Sequence, residues 1–359
     1  MIDYAVYRRL HGSWNRPLNK PGPYDTWPEH IHLDAEIDLG CRTILPPNIH
    51  SFDIKEKEWK NLHVEHVKPI TWDKRAYQRL VLPRRTKELV QSLVMVRRSK
   101  RGTQESLRLA GNRNDVINGK GNGLIMLLHG GPGTGKTLTA ESVAELAEMP
   151  LYSITCGDIG TNAEAVEKYL QTILYLGKAW NCVLLLDEAD VFLEERTLSD
   201  LERNSMVSVF LRTLEYYEGI LILTSNRVGT FDEAFKSRIQ VALHYPALDT
   251  PSRRRIWQNF FDMLAEEDLN PSSETRSSAP DVDKESILEH LDELAEHEMN
   301  GRQIRNVLTT AWQIALFKGE MLSWTHIEHS LVTAEQFNVY LRKLQGVKDE
   351  DRMRDEKVR

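Results

Sequence analysis

Leu124-Ile125-Met126-Leu127-Leu128-His129-Gly130-Gly131-Pro132-Gly133-Thr134-Gly135-Lys136-Thr137 decides the architecture of this chain. Its first five residues are apolar and uncharged, as a strand buried on both faces of a parallel sheet requires. From Gly130 to Thr137 the residues fit the phosphate-loop pattern G-x-x-x-x-G-K-[ST] at every fixed position. Glycines let successive N–H groups turn inward around a polyphosphate, along a curve that side chains would block. Lys136 adds a point charge for the β- and γ-phosphates, and the Thr137 hydroxyl is placed to reach Mg²⁺. A chain of this length matches such a pattern by accident about once in a hundred, so the context has to decide. After the loop, Leu138, Val143, Ala144, Leu146 and Ala147 fall close to helical spacing, and Pro150 ends the segment. Strand, glycine loop and helix are thus in sequence, and the helix N-terminus directs its partial positive charge at the phosphates.

The 359 residues suffice for two or three domains with a substantial core. A formal net charge of −7 gives no overall basic field, which argues against nucleic acid as the partner. Cys41, Cys156 and Cys182 have neither metal-ligand spacing nor an obvious pairing, so reduced thiols in a reducing compartment are expected. No apolar run approaches the ~20 residues of a membrane span. With no signal-peptide core either, a soluble intracellular protein is the expectation, cytoplasmic or nuclear.

Along the chain, the expected organisation is an N-terminal segment over 1–98, a linker over 99–122, an α/β core over 123–248, a helical lid over 249–345 and a charged tail over 346–359. In the first segment, Ser51–Ile54 and Leu62–Val67 look like a short hairpin, and Asp73–Arg98 reads as helix interrupted near Pro83. Arg97, Arg98, Lys100 and Arg101 make a basic neighbourhood, read as a solvated linker rather than a contact for nucleic acid. Leu124–His129, Leu151–Thr155, Val183–Asp187, Ile220–Thr224 and Val241–Tyr245 are the expected core strands, with helical stretches between most of them. That alternation predicts an α/β fold, a five-stranded parallel sheet with helices on both faces. Pro251–Leu264, Ser286–Glu298, Asn300–Phe317 and Thr325–Leu344 read as a small all-α lid.

Val183-Leu184-Leu185-Leu186-Asp187-Glu188 is the second informative stretch. Four apolar residues make a buried strand whose tip delivers two acids beside the phosphate loop. Asp187 is placed to hold hydrated Mg²⁺ together with Thr137, and Glu188 to orient and deprotonate the attacking water. Asp187-Glu188-Ala189-Asp190 also spells the DEAD-box helicase signature. No Ser-Ala-Thr follows it, no late His-Arg-x-Gly-Arg appears, and the glycine loop is of a different type.

The chain instead resembles AAA-type ATPases. Leu223-Thr224-Ser225-Asn226 is similar to the family's first sensor, which implies that Asn226 positions the lytic water. Asp232-Glu233-Ala234-Phe235-Lys236-Ser237-Arg238-Ile239 is similar to its second region of homology, which implies Arg238 as a finger reaching a neighbouring subunit's γ-phosphate. Asn300-Gly301-Arg302-Gln303-Ile304 is similar to the second sensor, with Arg302 the implied γ-phosphate contact. More narrowly, Ile117–Ala140 and Leu184–Tyr245 resemble fungal AAA ATPases that carry an uncharacterised domain ahead of the ATPase, whose end Ile44–Trp72 resembles. There are two departures from the family pattern. Ser237 stands where a second arginine is frequent, and Gly157–Asn162 lacks the aromatic of a threading pore loop. Tyr175-Leu176-Gly177 matches the pore tripeptide but reads as the end of a packed helix.

The resemblance implies a P-loop NTPase that binds ATP and Mg²⁺ and hydrolyses ATP. Gly130, Gly131, Pro132, Gly133, Thr134, Gly135, Lys136, Thr137, Leu138 and Arg302 would contact nucleotide, Thr137 and Asp187 would hold the metal, and Glu188, Asn226 and Arg238 would carry the catalysis. A homo-oligomer, as a hexameric ring or an ATP-dependent assembly, acting on an unidentified protein client is the implied partner set. An ATP-gated assembly or scaffold module with slow hydrolysis is the alternative.

Overall fold

The computed structural model describes residues 1–10, 47–100, 123–159, 163–193, 201–215, 217–227, 233–268 and 282–336. The expected linker beyond Lys100, residues 269–281, and everything after 336, including the charged tail, lie outside these residues, as do Asp232 and Gly160–Asn162.

β1 (Asn48–Asp53) and β2 (Glu58–His63) form an antiparallel hairpin in which Phe52 pairs with Trp59. Its second strand begins four residues earlier than the hydrophobic pattern suggests, and Val64–His66 is a 3₁₀ turn rather than strand. The cause is a compact turn. Asp53 Oδ1 accepts the N–H groups of Lys55 and Glu56, and Lys57 takes the left-handed φ of 61°. That tight reversal consumes only the charged stretch and returns Trp59 to Phe52. Phe52 also lies 5.0 Å from the Trp180 ring, while Trp180 Nε1 donates to Asp3 Oδ2 at 3.1 Å. Lys57 is paired with Asp158 at 2.5 Å, so an aromatic cluster rimmed by polar contacts fastens this segment to the core. Helices Arg75–Arg79 and Arg84–Lys100 follow, separated at Pro83 as expected.

β3 (Leu124–Gly130), β4 (Leu151–Thr155), β5 (Val183–Asp187), β6 (Ile220–Ser225) and β7 (Val241–Tyr245) build one parallel sheet in the order β4-β5-β6-β3-β7. In the three central strands β5, β6 and β3 the residues alternate between two buried faces, whereas the edge strand β7 leaves Ala242 and His244 exposed. Ile125, Leu127, Leu184, Leu186, Leu221 and Leu223 pack with residues of the helices Ala163–Ala179 and Leu201–Glu215. Leu124, Met126, Leu128, Val183, Leu185, Ile220 and Ile222 pack with the helix Lys136–Ala147 and with the two helices that precede the core. Tyr175-Leu176-Gly177 is the end of Ala163–Ala179, with Leu176 buried and Gly177 so close to Leu184 that a Cβ would come within 3.0 Å.

Helices Thr250–Asp268, Lys284–Glu289, Leu291–Glu296, Gly301–Lys318 and one over 324–336 enclose a third core around Trp257, Leu294, Ile304 and Ile327. The single helix expected over Ser286–Glu298 is two, broken where His290 leaves helical geometry and stacks on Trp324 at 4.2 Å. Buried Arg253 ties the lid to its junction with the core. Its guanidinium donates to Leu248 O at 2.6 Å, Ala295 O at 2.8 Å and Thr250 Oγ1 at 3.1 Å. Arg253→Met is expected to destabilise the lid by about 2–4 kcal/mol, because those acceptors lose their donor inside the fold. Denaturant unfolding followed by tryptophan fluorescence measures it, and Arg253→Lys, lacking the fork, should recover less than half of the loss.

Candidate functional site

The loop Gly130–Thr137 leaves β3 and enters the helix Lys136–Ala147 through Gly133 and Gly135, both at positive φ, 71° and 99°. Gly135, the N-cap, brings no side chain to the first turn, so none competes with a ligand for its N–H groups. Thr134 Oγ1 closes the loop on Gly131 O at 2.8 Å. The Lys136 ammonium, in a residue only 7% exposed, donates to Gly130 O at 2.9 Å and Gly131 O at 2.6 Å. Burial pushes it below the usual lysine range; Asp187 and Asp190 oppose that shift and Arg302 adds to it. A buried cation solvated by carbonyls is a fitting seat for an anion, whose charge would offset the desolvation. Burial also lowers the His129 imidazole, with His244 and Lys136 acting in the same direction. Leu138, next along the helix, presents an apolar side chain that is 54% exposed.

The acids arrive from β5. Leu186 pairs in register with Leu223 of β6, which sets Asp187 beside Thr224 at the carboxyl edge of the sheet. Thr137 Oγ1 lies 3.3 Å from Asp187 Oδ1 and 3.2 Å from Oδ2. A hydroxyl and a carboxylate facing each other beside the phosphate loop are hard oxygen donors suited to Mg²⁺. Glu188 follows at a left-handed φ of 55° with its side chain exposed, and its N–H donates to Thr224 Oγ1 at 3.0 Å. Thr224 Oγ1 in turn donates to Asp187 Oδ1. Next on β6, Ser225 Oγ donates to Asp190 Oδ1 at 2.5 Å and accepts the N–H of Arg227 at 3.1 Å. Asn226 lies between them, exposed at the same edge.

The lid touches the phosphate loop directly. Gly301 N donates to Gly133 O at 2.9 Å, and a Cβ on Gly133 would come within 2.5 Å of Asn300 Cγ. Asn300 caps the helix Gly301–Lys318 in a reciprocal box with Gln303. That cap orients the helix start toward the loop and sets Arg302 in its first turn, exposed, with a charge felt at Lys136.

Lys136, Thr137, Asp187, Glu188 and Asn226 therefore gather at one edge of the sheet, with Arg302 entering from the lid. Arg238 is not part of that gathering within the chain. Its guanidinium donates to Ala234 O at 2.8 Å and faces Glu215 Oε2 at 3.4 Å. Ser237 Oγ bonds the same carbonyl of Ala234 at 2.9 Å. The motifs did not point to Thr224 or to the Asn300–Gly133 contact. The signals present were a buried hydroxyl at the end of an apolar strand and an Asn-Gly pair opening a lid helix.

Comparison with known proteins matches two family patterns to this chain. The pattern of the family described as "ATPase family associated with various cellular activities (AAA)" matches residues 126–247. That of the "Fungal AAA+ ATPase lid domain" matches residues 248–348. Among curated proteins, the Xenopus laevis "ATPase family AAA domain-containing protein 3-A" is 32% identical over 203 residues, which are 54% of this chain and 33% of that protein. The human "ATPase family AAA domain-containing protein 3B" is 28% identical over 233 residues, 63% of this chain and 35% of that one. The Drosophila melanogaster "ATPase family AAA domain-containing protein 3A homolog" is 29% identical over 220 residues, covering 58% and 35%. The chain thus spans about a third of the length of the curated relatives it matches. Through its α/β core and the helical region that follows, this chain belongs to the AAA ATPase family.

Proposed function

We propose that this chain binds ATP with Mg²⁺ and hydrolyses it, using the energy to remodel a protein or protein complex. One observation carries the reading: the Thr137 hydroxyl and the Asp187 carboxylate face each other within 3.3 Å beside a buried lysine whose partners are backbone carbonyls. The division of labour follows from residue chemistry. Gly130–Gly135 with Lys136 cradle the triphosphate, and Leu138 offers an apolar surface beside it. Thr137 and Asp187 hold Mg²⁺, which when bound neutralises charge on the phosphates. Glu188, exposed at the end of β5, accepts a proton from water, and Asn226 orients that water by hydrogen bonding. Arg302 reports on the γ-phosphate from the lid.

Arg238 acts in trans on this reading. Its guanidinium faces Glu215 and Ala234 O rather than the loop of its own chain, so a second copy completes the site. A homo-oligomer, in ring form or assembled on ATP, is the consequence. The same pairing also favours the second reading, ATP-gated assembly with slow hydrolysis, because an isolated subunit has its arginine engaged elsewhere. Among the described residues no helix is long and apolar enough to cross a membrane.

Glu188→Gln is expected to keep nucleotide affinity and lower turnover by about a hundredfold or more, read by filter binding and phosphate release. Retained turnover rules out Glu188 as the base. Specific ATPase activity should rise with protein concentration, and Arg238→Ala should flatten that rise while leaving ATP affinity unchanged. An activity independent of concentration in both proteins overturns the trans assignment. Gly133→Ala should weaken ATP binding at least about tenfold, because the added methyl drives the loop against Asn300. Isothermal titration measures it, and shortening the lid side chain in Gly133→Ala/Asn300→Gly should restore part of the affinity.

A further inference from the structure

We propose that Thr224 is a positioning residue of the hydrolytic site, its single hydroxyl setting both the Asp187 carboxylate and the backbone turn that aims Glu188. The inference rests on the reading of Asp187 and Glu188 given above and adds a residue to it. Thr224 belongs to β6, which lies between the loop strand β3 and the acid strand β5. Strand parity gives it the same face as Ile220 and Ile222, the face packed by the phosphate-loop helix. It is 1% exposed at the end of Ile220-Leu221-Ile222-Leu223, where valine would fill the space without burying a polar atom.

Its hydroxyl has partners on both sides, and their polarity fixes its hydrogen. A carboxylate only accepts and an amide N–H only donates. The Thr224 hydroxyl therefore donates to Asp187 Oδ1 and accepts from Glu188 N–H at 3.0 Å. Asp187 is thereby oriented between two hydroxyls, with Thr137 approaching both carboxylate oxygens from the loop side. The carbonyl of Thr224 takes the next N–H, from Ala189, at 2.8 Å. Two successive amides of the turn after β5 are thus anchored on one residue. Glu188 stands between them at a φ of 55°, a conformation that costs a non-glycine residue about 1 kcal/mol and persists only where neighbours hold it. Thr224 supplies that hold from a buried position, through the Asp187 carboxylate and the Glu188 amide.

The test compares Thr224→Val, Thr224→Ser and Thr224→Ala in the full chain. Serine and alanine both remove the methyl and differ only by the hydroxyl, so that pair decides the question even if valine is poorly tolerated. Three quantities are read: kcat and KM for ATP, the Mg²⁺ concentration giving half-maximal gain in affinity for a fluorescent ATP analogue, and the affinity of that analogue in EDTA. Serine should stay within about threefold of the parent, whereas valine and alanine should lose about 10–100-fold in kcat, as removal of the partner orienting a metal ligand does. For those two variants the Mg²⁺ midpoint should also rise several-fold while KM and the affinity in EDTA stay level. General loosening of the fold would instead weaken the metal-free affinity and spare no variant. The proposal is overturned if alanine matches serine in kcat and Mg²⁺ midpoint, or if serine falls as far as alanine. Should the parent bind nucleotide without turning it over, the hydrolase reading fails, and the Mg²⁺ midpoints alone still decide for or against Thr224.

Discussion

The insertion of β6 between β3 and β5 is the constraint on which the site depends. Neighbouring strands lie ~4.8 Å apart, so the phosphate loop and the acids spring from strands separated by about 10 Å. No side chain of β3 meets Asp187 across that span unaided. The first turn of the helix after the loop, which brings Thr137 back over the sheet edge, and the end of β6, which carries Thr224, fill the interval. The parallel register makes this reproducible. Leu128 pairs with Thr224 and Leu186 with Leu223, so the tips of three strands end at one level without any bond between β3 and β5. The close-packed cores on the two faces of the sheet then hold those tips, because a one-residue slip of a central strand would exchange the side chains of both cores at once.

The lid is tied to the same edge through backbone, which gives the arrangement a direction of coupling. Gly301 N–H to Gly133 O is a bond between a lid helix N-terminus and the loop itself, and the close approach of Asn300 leaves no room for a side chain at Gly133. Any change in loop shape is therefore felt at the start of the helix Gly301–Lys318. Arg253 makes a second tie, joining Leu248 of the connecting segment to Ala295, five residues before Asn300. The lid core around Trp257 is therefore held at two points, the phosphate loop and the connecting segment.

The core was legible from sequence because its signals are local and redundant. Apolar runs mark the three central strands, which are buried on two faces, and Gly130–Thr137 and Asp187–Glu188 are chemical patterns few other functions need. What escaped depends on contacts between distant positions. Thr224 gains its importance from the strand order, which no spacing in the sequence discloses, and it lies 37 residues from the Asp187 it orients. The hairpin began earlier than expected because Asp53 closes a turn that hydrophobic patterning does not see. The lid helix broke at His290, where a ring stack on Trp324 outweighs continued helix, a tertiary contact across 34 residues. Local propensity yields to such contacts wherever they are well packed.

Arg238 shows how the same logic extends beyond one chain. Its pairing with Glu215 is at 3.4 Å, with the two side chains 26% and 23% exposed. A contact of that length and exposure contributes on the order of 1 kcal/mol. A charge-assisted bond to a phosphate in a site closed by a second subunit is stronger, since both partners there are shielded from water. On the trans reading, Glu215 therefore keeps the guanidinium ordered and partly buried in the single chain, at an energy small enough to be exchanged on assembly. Two effects follow together from one weak pair: the arginine is pre-oriented rather than loose, and it is committed to catalysis only when a neighbour's nucleotide competes for it. The placement of Ser237 rather than a second arginine sharpens this, because its hydroxyl is turned back on Ala234 O and brings no second guanidinium beside Arg238.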